Sequence, residues 1–250
     1  MKCLILAAGY ATRLYPLTEN FPKPLLDVAG KAIIDWLIDD LEETGRIDSY
    51  VIVTNHKFFE HFQKWQGVHV YKEKLLILDD GSTENDNRLG AVRDLAFAIH
   101  ETSLDDDLLV LAGDNLLDFS LKGFLDFFEE KKATCVMRHL ETQKEKLQRT
   151  GVAVVDKQDK ILEMEEKPKN PKSSWAIPPF YLYRREDLAK IITGVEQKVC
   201  NLDAPGSFIC YMCTMTDVYA YEMPGARYDI GNLQSYEAVQ EKWKCIKSLR

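Results

Sequence analysis

The chain has 250 residues, 46% of them hydrophobic, and a net charge of −8. That supplies enough apolar material for one large α/β domain, and its sign argues against a nucleic-acid surface. The apolar start, Cys3 to Ala8, is too short for the core of a signal peptide, and no stretch approaches the roughly 18 apolar residues of a membrane span. The six cysteines are scattered. Only Cys210 and Cys213 form a C-x-x-C pair, with no second pair or histidine cluster to complete a zinc site, so buried thiols in a reducing cytoplasm are expected.

In chain order, Cys3-Leu4-Ile5-Leu6-Ala7-Ala8 reads as a buried strand breaking into a loop, Gly9 to Leu14. Lys31 to Glu43 carries Ile33, Ile34, Leu37 and Leu41 at helical spacing and closes at Gly45. Tyr50 to Val53 is a buried strand, His56 to Trp65 a helix and Val68 to Tyr71 a short strand. A polar loop, Asp79 to Asn87, leads to a helix from Leu89 to His100. Asp107 to Ala112 is a central strand ending at Gly113-Asp114-Asn115. Leu121 to Lys131 is helical, Thr134 to Arg138 is a strand, and the polar segment Glu141 to Thr150 reads as a mobile loop. From Gly151 short strands and turns take over, and a helix from Leu233 to Lys247 closes the chain. Alternating strands and helices indicate a parallel or mixed sheet wrapped by helices in a single domain.

The first loop carries the chemistry. A strand that breaks at small residues brings backbone N–H groups close to an anion, and Arg13 adds a permanently charged planar fork suited to phosphate oxygens. Lys23, ten positions on, is a point charge on a segment stiffened by Pro22 and Pro24. A dinucleotide fingerprint needs further glycines and an acid after the second strand, where Thr54-Asn55 stands, and the P-loop spacing is absent. The pattern therefore points to a triphosphate site, with an ordinary strand–turn carrying one surface arginine and one surface lysine as the alternative. Asp114 sits at the carboxyl end of a buried strand, where open α/β sheets place ligands. Taken alone, it serves equally as a turn aspartate capping the backbone that follows.

The run LAAGYATRLYPLTENFPKPLL resembles the signature of the sugar-phosphate nucleotidylyltransferases, typified by glucose-1-phosphate thymidylyltransferase and mannose-1-phosphate guanylyltransferase. Leu-Ala-Gly-Asp-Asn at 111–115 is similar to the family's metal-aspartate segment. Arg-Tyr-Asp-Ile-Gly-Asn at 227–232 is similar to the segment that completes the metal site. Glu165-Glu166-Lys167-Pro168, followed by Pro171-Lys172-Ser173, looks like the acceptor segment of the thymidylyltransferases. The resemblance covers nearly the whole chain, with its motifs in the family's order.

The resemblance implies a Rossmann-like mixed, mainly parallel sheet with helices on both faces, of the nucleotide-diphospho-sugar transferase type. Residues 1–140 would be mainly nucleotide-binding, 141–232 mainly acceptor-binding, and 233–250 a C-terminal helix. It implies catalytic roles for Arg13, Lys23 and Asp114, and nucleotide contacts from Ala7, Ala8, Gly9, Thr12, Arg13, Arg88 and Gly90. The acceptor falls to Gly151, Glu166 and Lys167, and Mg²⁺ to Asp114 and Asp229. Two hard carboxylate ligands plus phosphate and water suit that ion's octahedral demand. The expected partners are a nucleoside triphosphate and a sugar 1-phosphate, with no nucleic acid, no membrane and a homo-oligomer open.

Three departures qualify the match. Ala11 stands where the family has its second glycine, putting a methyl group where the backbone approaches the phosphates. The base-contacting glutamine before the helix at Leu89 is missing, so base choice stays open. Pro178-Pro179 replaces a Thr/Val-Gly pair and stiffens the pocket wall. The last departure leaves open a non-sugar acceptor such as phosphocholine. A catalytically silent nucleotide-sugar-binding subunit is a third reading, opposed by the joint presence of Arg13, Lys23, Asp114, Lys167 and Asp229.

Overall fold

The computed structural model describes residues 1–247. Its elements begin with β1 (Lys2–Leu6), the short strands β2 (Asp27–Val28) and β3 (Lys31–Ala32), α1 (Ile33–Thr44), β4 (Ser49–Thr54) and α2 (Phe59–Val68). Next come β5 (Leu75–Asp79), α3 (Ala91–Glu101), β6 (Leu108–Ala112), β7 (Asn115–Leu117), α4 (Lys122–Lys131) and β8 (Thr134–Leu140). Then follow α5 (Lys144–Leu147), β9 (Gly151–Val155), β10 (Ile161–Glu166), β11 (Trp175–Ile177) and β12 (Phe180–Tyr183). The chain continues through α6 (Leu188–Glu196), α7 (Pro205–Met215), β13 (Val218–Glu222), β14 (Arg227–Asp229) and α8 (Leu233–Lys247).

Contacts divide the chain into two compact units. The first comprises Met1–Leu4, Leu89–Leu111 and Gly123–Met223; the second comprises Ile5–Arg88, Ala112–Lys122 and the chain from Pro224. Within the first, strands lie in the order β10-β9-β11-β8-β12-β6, with β13 parallel to β8 and the other pairs antiparallel. The β10–β9 register sets Glu166 opposite Gly151. Its core is aromatic and aliphatic, with Phe124, Phe128, Phe180, Phe208 and Met212 fully buried.

Within the second unit, β4 runs parallel to β5, as buried strands of an α/β sheet do, and Tyr50 to Val53 are all buried. α1 buries Ile33, Ile34, Leu37, Ile38 and Leu41 along one stripe. Asp35 accepts from the Ala32 N–H at its start (3.2 Å), and Gly45 takes the left-handed conformation at its end (φ 66°). β14 pairs antiparallel with β7, placing Asp229 across from Asn115. α8 secures that pair: Trp243 meets Trp36 and Tyr228 edge-on, in a cluster with Leu14, Leu116 and Ile230.

Two sequence expectations are corrected. No strand forms at Val68–Tyr71: α2 runs through Val68, Val68 and Val70 stand 87% and 80% exposed, and the strand is β5. Four alternating residues without a partner strand have no backbone ladder to join. The polar segment Glu141–Thr150 is not all loop, because Leu147 buries itself with Val152 and Ala176 and winds α5. Helices α6 and α7 are not marked by the sequence pattern. In α7 nearly every position is apolar, so no polar face marks the helical period.

Candidate active site

β1 delivers the first loop to the second unit, where the Ala7 N–H bonds the Val53 carbonyl (2.8 Å) and Asn55 Nδ2 donates to the Ala8 carbonyl (3.0 Å). Ala11 then takes the left-handed conformation, φ 47° and ψ 41°, pinned by Thr18 Oγ1 donating to its carbonyl (2.8 Å). This revises the meaning of the departure at Ala11. The glycine of the family signature relieves backbone strain here, as well as leaving room for phosphates. A side chain in this conformation costs about 1–2 kcal/mol. The next turn presents Thr12 and Arg13 to solvent, and Arg13 has no hydrogen-bond or ion-pair partner among the described residues. Its five donors are available to an anion.

Lys23 is the charge at the centre of this unit. Held in a short turn behind Pro22, it is 7% exposed, and its Nζ lies 2.7 Å from Asp114 Oδ2 and 3.4 Å from Asp229 Oδ1. Asp114 stands between β6 and β7, where Gly113 hydrogen-bonds the Leu6 carbonyl (2.9 Å); a Cβ on Gly113 would meet Ile5 Cγ2 at 2.9 Å. The Asp114 carboxylate is spent on Lys23 and on Asn115 Nδ2 (2.9 Å) rather than on capping the following backbone. Asp229 likewise is not the cap of α8. Asn232 fills that role, accepting from the Ser235 N–H (2.8 Å).

Asn115 and Arg227 join the site in a way no sequence motif specified. Asn115 is buried and takes a hydrogen bond from Arg227 Nη1 (2.6 Å) while donating to Asp114, so the pair orients the carboxylate. The Gly-Asp-Asn tripeptide was the available signal for it.

These residues open on a cavity of about 280 Å³ lined by Ala7, Gly9, Arg13, Lys23, Asp114 and Gly231. The side chains of Asp114 and Asp229 are 37% and 50% exposed, so each keeps an oxygen edge towards solvent. Among the described residues, no three His, Cys, Asp or Glu side chains gather as a complete metal cage. Two hard carboxylates beside this cavity nonetheless fit Mg²⁺, which keeps waters and substrate phosphates as its remaining ligands.

The nucleotide residues expected further along are dispersed. Arg88 donates to the Asn85 carbonyl (2.9 Å) in the second unit. Gly90 belongs to the first, where a Cβ would meet the Leu202 carbonyl oxygen at 2.9 Å, a close backbone approach that calls for glycine. Near the first loop, Tyr10 Oη reaches Ser82 Oγ (3.5 Å), and burial raises the Asp80 carboxyl above its ordinary range.

The residues expected to hold the acceptor gather in the first unit. Gly151 opens β9, and Glu166 ends β10 directly across from it. Unlike its exposed neighbours Glu163 and Glu165, Glu166 is half-buried, and that burial raises its pKa while the Lys167 charge opposes the shift. Lys167 is exposed at φ 50°, an uncommon conformation for a side chain as long as lysine, with its N–H on the Thr150 carbonyl (3.1 Å). Pro178 and Pro179 lead straight into β12, where the Phe180 N–H bonds the Pro178 carbonyl (2.8 Å). On α7, Cys210 and Cys213 are half-buried, and burial pushes both thiols up to about 12, against a thiolate role.

The family described as nucleotidyl transferase matches residues 2–244. The chain belongs to that family. Two relatives are a bifunctional protein GlmU from Methanocaldococcus jannaschii and the glucose-1-phosphate adenylyltransferase of Fervidobacterium nodosum. The first is 31% identical over 176 residues, 70% of this chain and 38% of that protein. The second is 28% identical over 246 residues, 93% of this chain and 59% of that protein. This nucleotidyl transferase therefore spans less than two thirds of either relative's length.

Its fold is that of solved relatives. UDP-glucose pyrophosphorylase bound to UDP-glucose aligns with a TM-score of 0.82 at 19% identity, covering 97% of this chain and 98% of the other. A Bacillus anthracis protein assigned as a glucose-1-phosphate thymidylyltransferase, solved with sucrose, aligns at 0.81 and 24% identity, covering 97% and 94%. The Rossmann-like α/β architecture expected from the sequence is thus the one found. No helix among the described residues is long and apolar enough to cross a membrane.

Proposed function

We propose that this nucleotidyl transferase couples a nucleoside triphosphate to a sugar 1-phosphate, giving a nucleoside diphosphate sugar and pyrophosphate, with Mg²⁺ held by Asp114 and Asp229. The observation that carries the reading is Lys23, buried and shared between those two carboxylates at 2.7 and 3.4 Å beside a cavity that also presents Arg13. One ammonium, two carboxylates and a guanidinium unpartnered among the described residues make a site that handles polyanions. It offers no nucleophile–base pair, and this reaction calls for none.

A phosphate monoester has a second pKa near 6, so at neutral pH it is a nucleophile without a general base. Its oxygen attacks the α-phosphorus in line. As that P–O bond forms, the bond from the α-phosphorus to the bridging oxygen breaks, and pyrophosphate leaves with the electron pair. The obstacle is electrostatic repulsion between two anions. Arg13 takes the triphosphate oxygens, Lys23 the reacting phosphates and Lys167 the acceptor phosphate, while Glu166 accepts hydrogen bonds from sugar hydroxyls. Mg²⁺ held by Asp114 and Asp229 would supply further screening of the phosphate charge.

The test is pyrophosphate release across ATP, CTP, GTP, UTP and dTTP against sugar 1-phosphates and phosphocholine, with magnesium and with EDTA. A magnesium-dependent signal with a sugar 1-phosphate is expected. Release only with phosphocholine overturns the sugar assignment. Nucleotide binding without release from any acceptor would favour a silent binding subunit.

A further inference from the structure

Gly206, in the first turn of α7, has no conformational need to be glycine. Pro205 opens the helix, and the backbone at 206 lies in the helical region open to any residue. Glycine in a helix even costs about 0.5–1 kcal/mol relative to alanine. Space explains it. A Cβ on Gly206 would land well inside contact distance of Glu166 Oε2, and all three of its nearest atoms belong to the Glu166 carboxylate. A Cβ on Gly151 would also lie 3.1 Å from the same oxygen, after Met164 Cε at 2.7 Å. The carboxylate therefore rests between two bare Cα atoms, one on β9 and one on α7.

That carboxylate has no hydrogen-bond partner among the described residues, and it borders an open pocket of about 430 Å³ lined by Met164, Ser207, Cys210 and Tyr211. A half-buried carboxylate with free oxygens at the mouth of a pocket is an acceptor awaiting donors. We propose that Gly206 is a positioning residue of the acceptor site, seating the Glu166 carboxylate where the hydroxyls of a sugar 1-phosphate reach it. The inference rests on the acceptor role of Glu166 proposed above. The group that a larger residue would displace is the free end of a flexible side chain, not backbone. Gly206→Ala is accordingly expected to fold, to melt no lower than the parent, and to move the carboxylate.

The experiment is a double-mutant cycle of Gly206→Ala and Glu166→Gln. Acceptor KM, triphosphate KM and Tm are read with the sugar 1-phosphate active in the panel above, glucose 1-phosphate being the first probe. Each single variant is expected to raise acceptor KM about tenfold, the range of a hydrogen bond to a charged group, with triphosphate KM unchanged. The double variant should be no worse than either single one. Glu166→Gln raising KM while Gly206→Ala leaves it unchanged would overturn the seat and spare the acceptor reading. Glu166→Gln without effect on KM would instead sink the acceptor role of Glu166 itself. A lower Tm with additive losses would mark Gly206 as merely structural. Carboxyl-carbon NMR supplies a readout free of turnover: the raised Glu166 titration should return towards the ordinary carboxylate range in Gly206→Ala, and an unmoved titration overturns the seat.

Discussion

The two units handle charge in opposite ways. In the second, Lys23 is buried and balanced by Asp114 and Asp229, so that cluster is satisfied within the protein, while the exposed Arg13 beside it is left for an anion. In the first, Lys167 is exposed and the half-buried Glu166 carboxylate has no hydrogen-bond partner among the described residues, so both are left for a ligand to complete. The contrast follows from burial. A charge taken out of water must be paired, and removing one member leaves the other uncompensated; an exposed charge stays solvated at little cost. Changes to the Lys23 cluster should therefore damage folding and activity together, whereas changes to the proposed acceptor residues Glu166 and Lys167 should separate them.

The strongest way to break that comparison is at the carboxylates. Asp229→Ala and Asp114→Ala are each expected to lower magnesium-dependent pyrophosphate release by about 10²–10³-fold, the scale seen when one charge-stabilising group is removed. Both should also lower Tm, because Lys23 keeps only one partner. Release at parental rates, measured with magnesium against EDTA, would end the metal assignment. On the acceptor side, Lys167→Met should raise acceptor KM roughly tenfold to a hundredfold, the worth of a charge-assisted contact, with Tm unchanged. A large fall in Tm would mean that Lys167 is structural after all.

A smaller effect separates stability from function at Glu166. Burial raises its folded pKa, so folding favours the protonated form. The favourable contribution is complete below the ordinary carboxylate range and is lost as pH rises through the raised value. Glu166→Gln should consequently melt higher than the parent at pH 7.5, with the difference vanishing near pH 4, even as acceptor binding weakens. Thermal melts across that range check it, and a variant less stable at pH 7.5 would contradict the desolvation of this carboxylate. The smallest expected change is Ala11→Gly. Relief of the left-handed strain is partly offset by the greater freedom of glycine in the unfolded chain, leaving a gain of at most about 1 kcal/mol, or roughly 2–4 °C in Tm for a chain of this size.

Much of the proposed nucleotide site was legible because its determinants are local. The strand–loop break after Ala8, the proline clamp around Lys23 and Asp114 at the end of β6 are patterns of adjacent residues, readable without knowing what lies nearby. The strand proposed at Val68–Tyr71 failed for the complementary reason. Four alternating residues are consistent with a strand, and only the presence of a partner strand decides. The helix α7 escaped notice because its apolar positions show no period, and with it went the wall against which Glu166 rests.

The sequence by itself determined the family, the α/β class and the identity of the charged residues, since these depend on residue type and spacing along the chain. Tertiary structure alone decided that Lys23 lies between Asp114 and Asp229, residues 91 and 206 positions away along the chain. It alone decided that Ala11 is strained and that Gly206 makes room for Glu166. Each of those facts concerns the space around an atom, and long-range packing fills that space with groups that no local pattern names.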